Sequence, residues 1–103
     1  MPVSVKLPVE FQGVYETIFK QDPEQGTIQL VINELHRRLA EYKLMAKMFQ
    51  KRYKMDFDEF KSKKVVESLD YSFEVEEDYC DWELALDGIQ TISAELKKLA
   101  KYS

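Results

Sequence analysis

Cysteine and histidine are nearly absent from this chain, one of each among 103 residues, and that scarcity excludes whole classes of protein. A single thiol cannot close an internal disulfide, and structural zinc wants four Cys or His ligands. Cys80 therefore reads as a reduced cytosolic side chain. Glycine and proline are also scarce, three of each. With Gly13, Gly26 and Gly88 so far apart, neither glycine-rich nucleotide-binding fingerprint can be written, and a many-stranded barrel lacks its turn formers. No apolar run approaches the roughly 20 residues of a membrane span. Met1-Pro2-Val3-Ser4-Val5-Lys6 lacks the basic stretch and apolar core of a signal peptide. A soluble, cytoplasmic protein with no cofactor is the expectation.

What is present is 45% hydrophobic and 33% charged, too apolar for a disordered chain. A chain of this length supports one core, so residues 1–103 are expected to form a single domain. So small a core leaves much apolar surface uncovered unless the chain associates, and a homodimer or another partner is expected. The net charge of -4 hides a strong segregation. Residues 1–26 carry two bases and four acids; residues 27–64 carry ten bases against five acids; residues 65–103 carry three bases against ten acids. Either two solvated helix faces attract each other within the chain, or the acidic end meets a basic partner.

Val3-Ser4-Val5-Lys6-Leu7 alternates apolar and polar until Pro8 stops it, which predicts one short strand. Residues 9–20 place Val9, Phe11, Val14, Tyr15, Ile18 and Phe19 on one helical face. Gln21 to Gly26 reads as a break, with Thr27 as the next N-cap. From there Ile28, Ile32, Leu35, Leu39, Tyr42, Ala46, Phe49 and Tyr53 recur in steps of 4 and 3, a seam on a helix about 40 Å long. Leu30, Val31, Leu44, Met45 and Met48 widen it. Asp56 can cap a short helix in which Phe57 and Phe60 share a face, with Glu59 returning the bond. Lys61 to Leu69 reads as a turn and a connection. Ser72 can cap the last helix, whose first turns are crowded with acids and whose end holds Lys97, Lys98 and Lys101, as the helix dipole favours. Its seam reads as Val75, Tyr79, Trp82, Leu86, Ile89, Ser93, Leu96 and Ala100. Two seams of matched period predict an antiparallel hairpin. Gly88 weakens the second helix by roughly 1 kcal/mol or permits close helix approach.

No catalytic residue can be nominated. Nucleophilic chemistry would need Cys80 or a serine beside His36 and a third orienting group, and none is evident. His36 reads as an exposed helical side chain. Glu74, Glu77, Asp78 and Asp81 recur at helical spacing and offer a cation-dependent site as an alternative; against it, the neighbouring acids spread around the helix instead of converging. Tyr71, Phe73, Tyr79 and Trp82 are interleaved with these acids, and rings beside carboxylates suit recognition of Arg and Lys on another protein. The other reading of Tyr79 and Trp82 is simply core.

The opening, a strand from Val3 to Leu7, Pro8, a helix, a loop ending in Gly26 and a second helix from Thr27, resembles a ribbon-helix-helix module. The resemblance implies that residues 1–45 dimerise through paired strands, that Ser4 and Lys6 face the DNA major groove, and that Thr27 opens a helix N-terminus toward a phosphate. Residues 1–26 are net acidic, and the second helix is longer than that family's. The stretch Arg52-Tyr53-Lys54-Met55-Asp56-Phe57-Asp58-Glu59-Phe60, followed by Tyr71-Ser72-Phe73-Glu74-Val75-Glu76-Glu77-Asp78-Tyr79 and Trp82-Glu83, resembles small prokaryotic proteins of antitoxin type. That resemblance implies a toxin-antitoxin module, in which residues 46–103 bind a basic toxin-like protein.

Together these readings predict a mainly α fold: a short N-terminal strand, then a long helix and a C-terminal helix packed as an antiparallel hairpin in a dimer. Its expected work is protein–protein interaction without catalysis, metal or cofactor. The expected contacts are Ser4, Lys6 and Thr27 for DNA, and Tyr71, Phe73, Glu77, Tyr79, Asp81 and Trp82 for the partner. The alternatives are a small helical oligomer with no DNA role, or the cation-dependent site on the acidic helix.

Overall fold

The computed structural model describes residues 6–20, 22–68 and 72–102. The chain is helical nearly throughout: α1 is Val9–Phe19, α2 Pro23–Tyr53, α3 Phe57–Ser62, α4 Val65–Ser68 and α5 Phe73–Lys98, with a closing 3₁₀ turn at Ala100–Tyr102. Among the described residues there is no strand. The expected strand lies outside them at Val3–Val5, and Lys6 and Leu7, which are described, take no regular structure. Pro8 is the N-cap of α1 instead, its carbonyl accepting from Phe11 and Gln12.

The second helix starts four residues earlier than Thr27. Asp22 caps it, its side chain accepting from the Gln25 N–H at 2.9 Å, and Pro23 stands at the first helical position, where a missing N–H costs nothing. The break between α1 and α2 is thus confined to the few residues around Lys20, which takes a left-handed conformation at φ 52°. Gly26 is buried inside α2. A Cβ there would come within 2.1 Å of the Tyr15 ring, so the missing side chain is what lets α1 rest on α2. The Tyr15 hydroxyl pairs with that of Thr27 at 3.0 Å.

The 31 residues of α2 run about 46 Å at the usual rise, with α5 antiparallel along them. Arg52 meets Asp78, Phe49 stacks on Trp82, and Tyr42 crosses Gly88. Every expected seam residue of α2 is buried or half-buried. Of the five expected to widen the stripe only Met45 is; Leu30, Val31, Leu44 and Met48 are exposed, because α5 covers a single line of α2.

The seam of α5 is corrected at Ser93 and Ala100, which are exposed, and shifted toward a neighbouring line elsewhere, with Tyr79 and Leu86 half-buried at its edge and packed on the core. Val75, Trp82, Ile89 and Leu96 hold, and Asp78, Ala85, Ile92 and Leu99 lie inside the line. Both lines alternate steps of 3 and 4, and periodicity alone does not choose between them. Close approach does: Ala85 is fully buried, and a Cβ at Gly88 would fall 2.6 Å from the Tyr42 ring. The short side chains mark where the helices come nearest.

The closed end of the hairpin holds the core. Asp56 caps α3, accepting from the Glu59 N–H at 2.8 Å, and α3 swings Phe57 and Phe60 under the hairpin, where they meet Tyr53, Tyr79 and Trp82. The Trp82 centroid lies 5.2 Å from those of both Phe57 and Phe60, distances at which aromatic pairs add to burial. Part of the expected turn after Lys61 is the short helix α4, entered through Lys64 at φ 50°.

Candidate functional site

The acids of α5 divide between two surroundings. Asp78 is 7% exposed and belongs to the core. A single oxygen of it, Oδ2, accepts from the Tyr53 hydroxyl at 2.6 Å and from Arg52 Nη1 at 2.8 Å. Burial, then the bond to Asp78, pushes the Tyr53 phenol up to about 12, and the Asp78 carboxylate raises Arg52 above its ordinary value. This trio ties the end of α2 to the start of α5, and among the described residues Arg52–Asp78 is the only ion pair between the two helices.

Glu76, Glu77, Glu83 and Asp87 are exposed on the other side of α5, and among the described residues none has a counter-ion. Between them runs an apolar line: Phe73, 80% exposed, and Leu84, 59% exposed, eleven residues apart in sequence and hence on one helical face. Glu77 and Cys80, whose thiol is free and exposed, complete that line at steps of 4, 3 and 4. Beside it an open groove of about 490 Å³ is floored by Phe60, Val65 and Val66 and rimmed by Glu76, Tyr79 and Cys80 on one side and by Lys61 and Lys64 on the other.

The sequence-predicted partner residues therefore separate. Phe73 and Glu77 stand on the outer face, Asp81 is half-exposed at its edge, and Tyr79 lines the groove. Trp82, at 2% exposed, cannot meet a partner; it is the centre of the ring cluster, the core reading of this residue. Tyr71 lies outside the described residues. Leu84, exposed on the same face, is not among the sequence-predicted residues, although it shares their helical spacing. Of the DNA candidates, Ser4 lies outside the described residues and Lys6 is exposed before α1. Thr27 is not an N-cap: it lies a turn inside α2, its hydroxyl donating to the Pro23 carbonyl at 2.7 Å.

For the cation alternative, Asp78 is turned inward, and among the described residues no three His, Cys, Asp or Glu side chains group as metal ligands. A second charged cluster, Glu34 with Arg37, Arg38 and Glu41, lies on the open surface of α2. Hydrogen bonds from Arg37 and Arg38 hold Glu34 down at about 2. It is an exposed brace along one helix, and Glu34 and Arg38 border a shallow, mainly apolar cavity of about 280 Å³ between Leu30, Val31, Leu35 and Ile92. Among the described residues no helix is long and apolar enough to cross a membrane. Compared with known proteins, the chain matches no family model, no curated protein and no solved structure.

Proposed function

We propose that this protein is an antitoxin-like interaction module that holds a basic partner protein on the outer face of α5. The observation that carries the reading is the exposed Phe73–Leu84 line set among carboxylates that have no counter-ion among the described residues. Exposed apolar side chains give a partner something to bury, and the acids steer a positively charged surface toward them and reject an acidic one. The adjoining groove offers room for an apolar side chain from that partner. A basic toxin-like protein, the class the C-terminal sequence resemblance implies, has the complementary charge. DNA is left out of this proposal because the Thr27 hydroxyl is engaged by Pro23 and Tyr15 and the first 26 residues are net acidic.

Co-expression with the product of the adjacent gene tests the reading. A complex should survive size exclusion at low salt and be lost in a Glu77→Lys, Asp87→Lys double variant whose helical circular dichroism is unchanged. Capture undiminished by the double variant would place the contact elsewhere.

A further inference from the structure

The helix α1 contains no buried residue, although its sequence is strongly apolar. Tyr15 and Phe19 turn toward Gly26 of α2 and lie against each other with centroids 5.1 Å apart. Among the described residues the rest of its apolar side chains are mostly exposed. Phe11, Val14 and Ile18, at 59%, 59% and 67% exposed, follow one another in steps of 3 and 4 and so form a stripe on the outer side of α1. Leu30 of α2, also exposed, stands one turn along from Gly26 on the side of α2 where α1 rests. We propose that this stripe is the face through which a second copy of the same chain binds, α1 against α1 about a two-fold axis.

Three observations select that occupant. The first is area. The chain exposes 8185 Å², where a folded monomer of its mass exposes about 6,100 Å². A standard interface withdraws about 800 Å² from each partner. The four apolar side chains account for on the order of 400 Å² per copy, and an interface about 60% apolar would then reach roughly 700 Å² per copy. The second is charge. Glu16 lies off the stripe, and Glu10 stands at its edge, one turn before Val14. The centre of the stripe, Phe11, Val14 and Ile18, carries no charge, so two copies in antiparallel register meet through apolar side chains and keep each Glu10 at the rim. The third is placement. Gly26, under α1, and Tyr42, under α5, are separated by about 160° around α2, so a two-fold contact at α1 leaves the outer face of α5 free. This makes the inference independent of the partner proposed for α5.

Sedimentation equilibrium of the full chain tests it. The wild type should sediment at twice the chain mass at micromolar concentration. Val14→Asp and Ile18→Asp should each raise the dissociation constant at least about a hundredfold, because each would bury a carboxylate opposite its own copy. Both should keep the wild-type circular dichroism, since these side chains are exposed in one copy. Phe73→Asp, on α5, should remain dimeric. Should the Asp variants fail to fold, Val14→Cys in a Cys80→Ser background decides: oxidation should yield a disulfide-linked dimer, and its absence overturns the proposal. A wild type monomeric throughout, a dimer indifferent to both Asp variants, or a monomer that instead partitions onto lipid vesicles would also overturn it.

Discussion

Trp82 has an acid on each side in the sequence, Asp81 and Glu83, yet its ring lies among Phe49, Tyr53, Phe57 and Phe60. The helix turns it inward while its neighbours point away. Trp82→Ala removes the side chain that the corner helix α3 packs against, and should cost about 3–5 kcal/mol, read as a fall in the urea midpoint. A shift under about 1 kcal/mol, in the range of a surface change, would show that the ring cluster is not the core. Tyr53 contributes at the same end through its bond to Asp78. Its folded value of about 12 stands above the ordinary 10.0, so the folded chain favours the neutral phenol. That contribution is whole below pH 10 and is lost as pH rises from 10 toward 12, where the unfolded phenol ionises first. Tyr53→Phe should be less stable than wild type by about 1 kcal/mol at neutral pH, and the gap should close across that window. A gap that stays constant to pH 12 would remove the phenol from the argument.

Each helix is fixed by a different kind of signal. Periodicity sufficed for α2, because large apolar side chains mark every turn of its seam and α5 lies along them. In α5 the same arithmetic admits two lines. The buried one passes through Asp78 and Ala85, an acid and a small side chain that carry no hydrophobic signal, while Tyr79 and Leu86 draw attention to the flank. Reading Asp78 as core requires knowing that Arg52 and Tyr53 stand opposite, a fact of register and not of composition. The outer face is legible in part: Phe73 and Glu77 are exposed there, Leu84 shares their spacing, and Trp82 keeps its place on the seam while its adjacent acids point out. The start of α2 was obscured by reading the glycine and proline near it as a break. Pro23 opens the helix and Gly26 receives the Tyr15 ring. Gly26→Ala should therefore act on α1 alone. The new Cβ displaces Tyr15, so amide exchange across Val9–Phe19 should accelerate. The hairpin should change by no more than about 1 kcal/mol, Ala being the better helix former. Unchanged protection of α1 would mean that its docking does not depend on the space at Gly26.

The molecule as a whole measures 58 × 27 × 24 Å with a radius of gyration of 19.7 Å, against about 13 Å for a compact chain of this length. Length of this kind spreads its charges apart. Lys43, Lys47, Lys51 and Lys54 are exposed along one side of α2, and Glu76, Glu77, Glu83 and Asp87 are exposed on α5. If the opposite charges of the two helices held the hairpin together, they would meet across it; among the described residues only Arg52 and Asp78 do. The apolar seam joins the helices, and the remaining charges face outward, where they can act on other molecules. Stability and recognition should therefore respond differently to salt. Raising sodium chloride from 50 to 500 mM shortens the reach of exposed charges from roughly 14 to 4 Å. It should move the unfolding free energy by less than about 1 kcal/mol. Over the same range the association rate with a basic partner should fall at least about tenfold, as electrostatically steered encounters do. Stopped-flow association and urea titration on the same preparation read both quantities. A hairpin that loosens in step with the association rate would mean that attraction between the two helices, and not their seam, holds the fold.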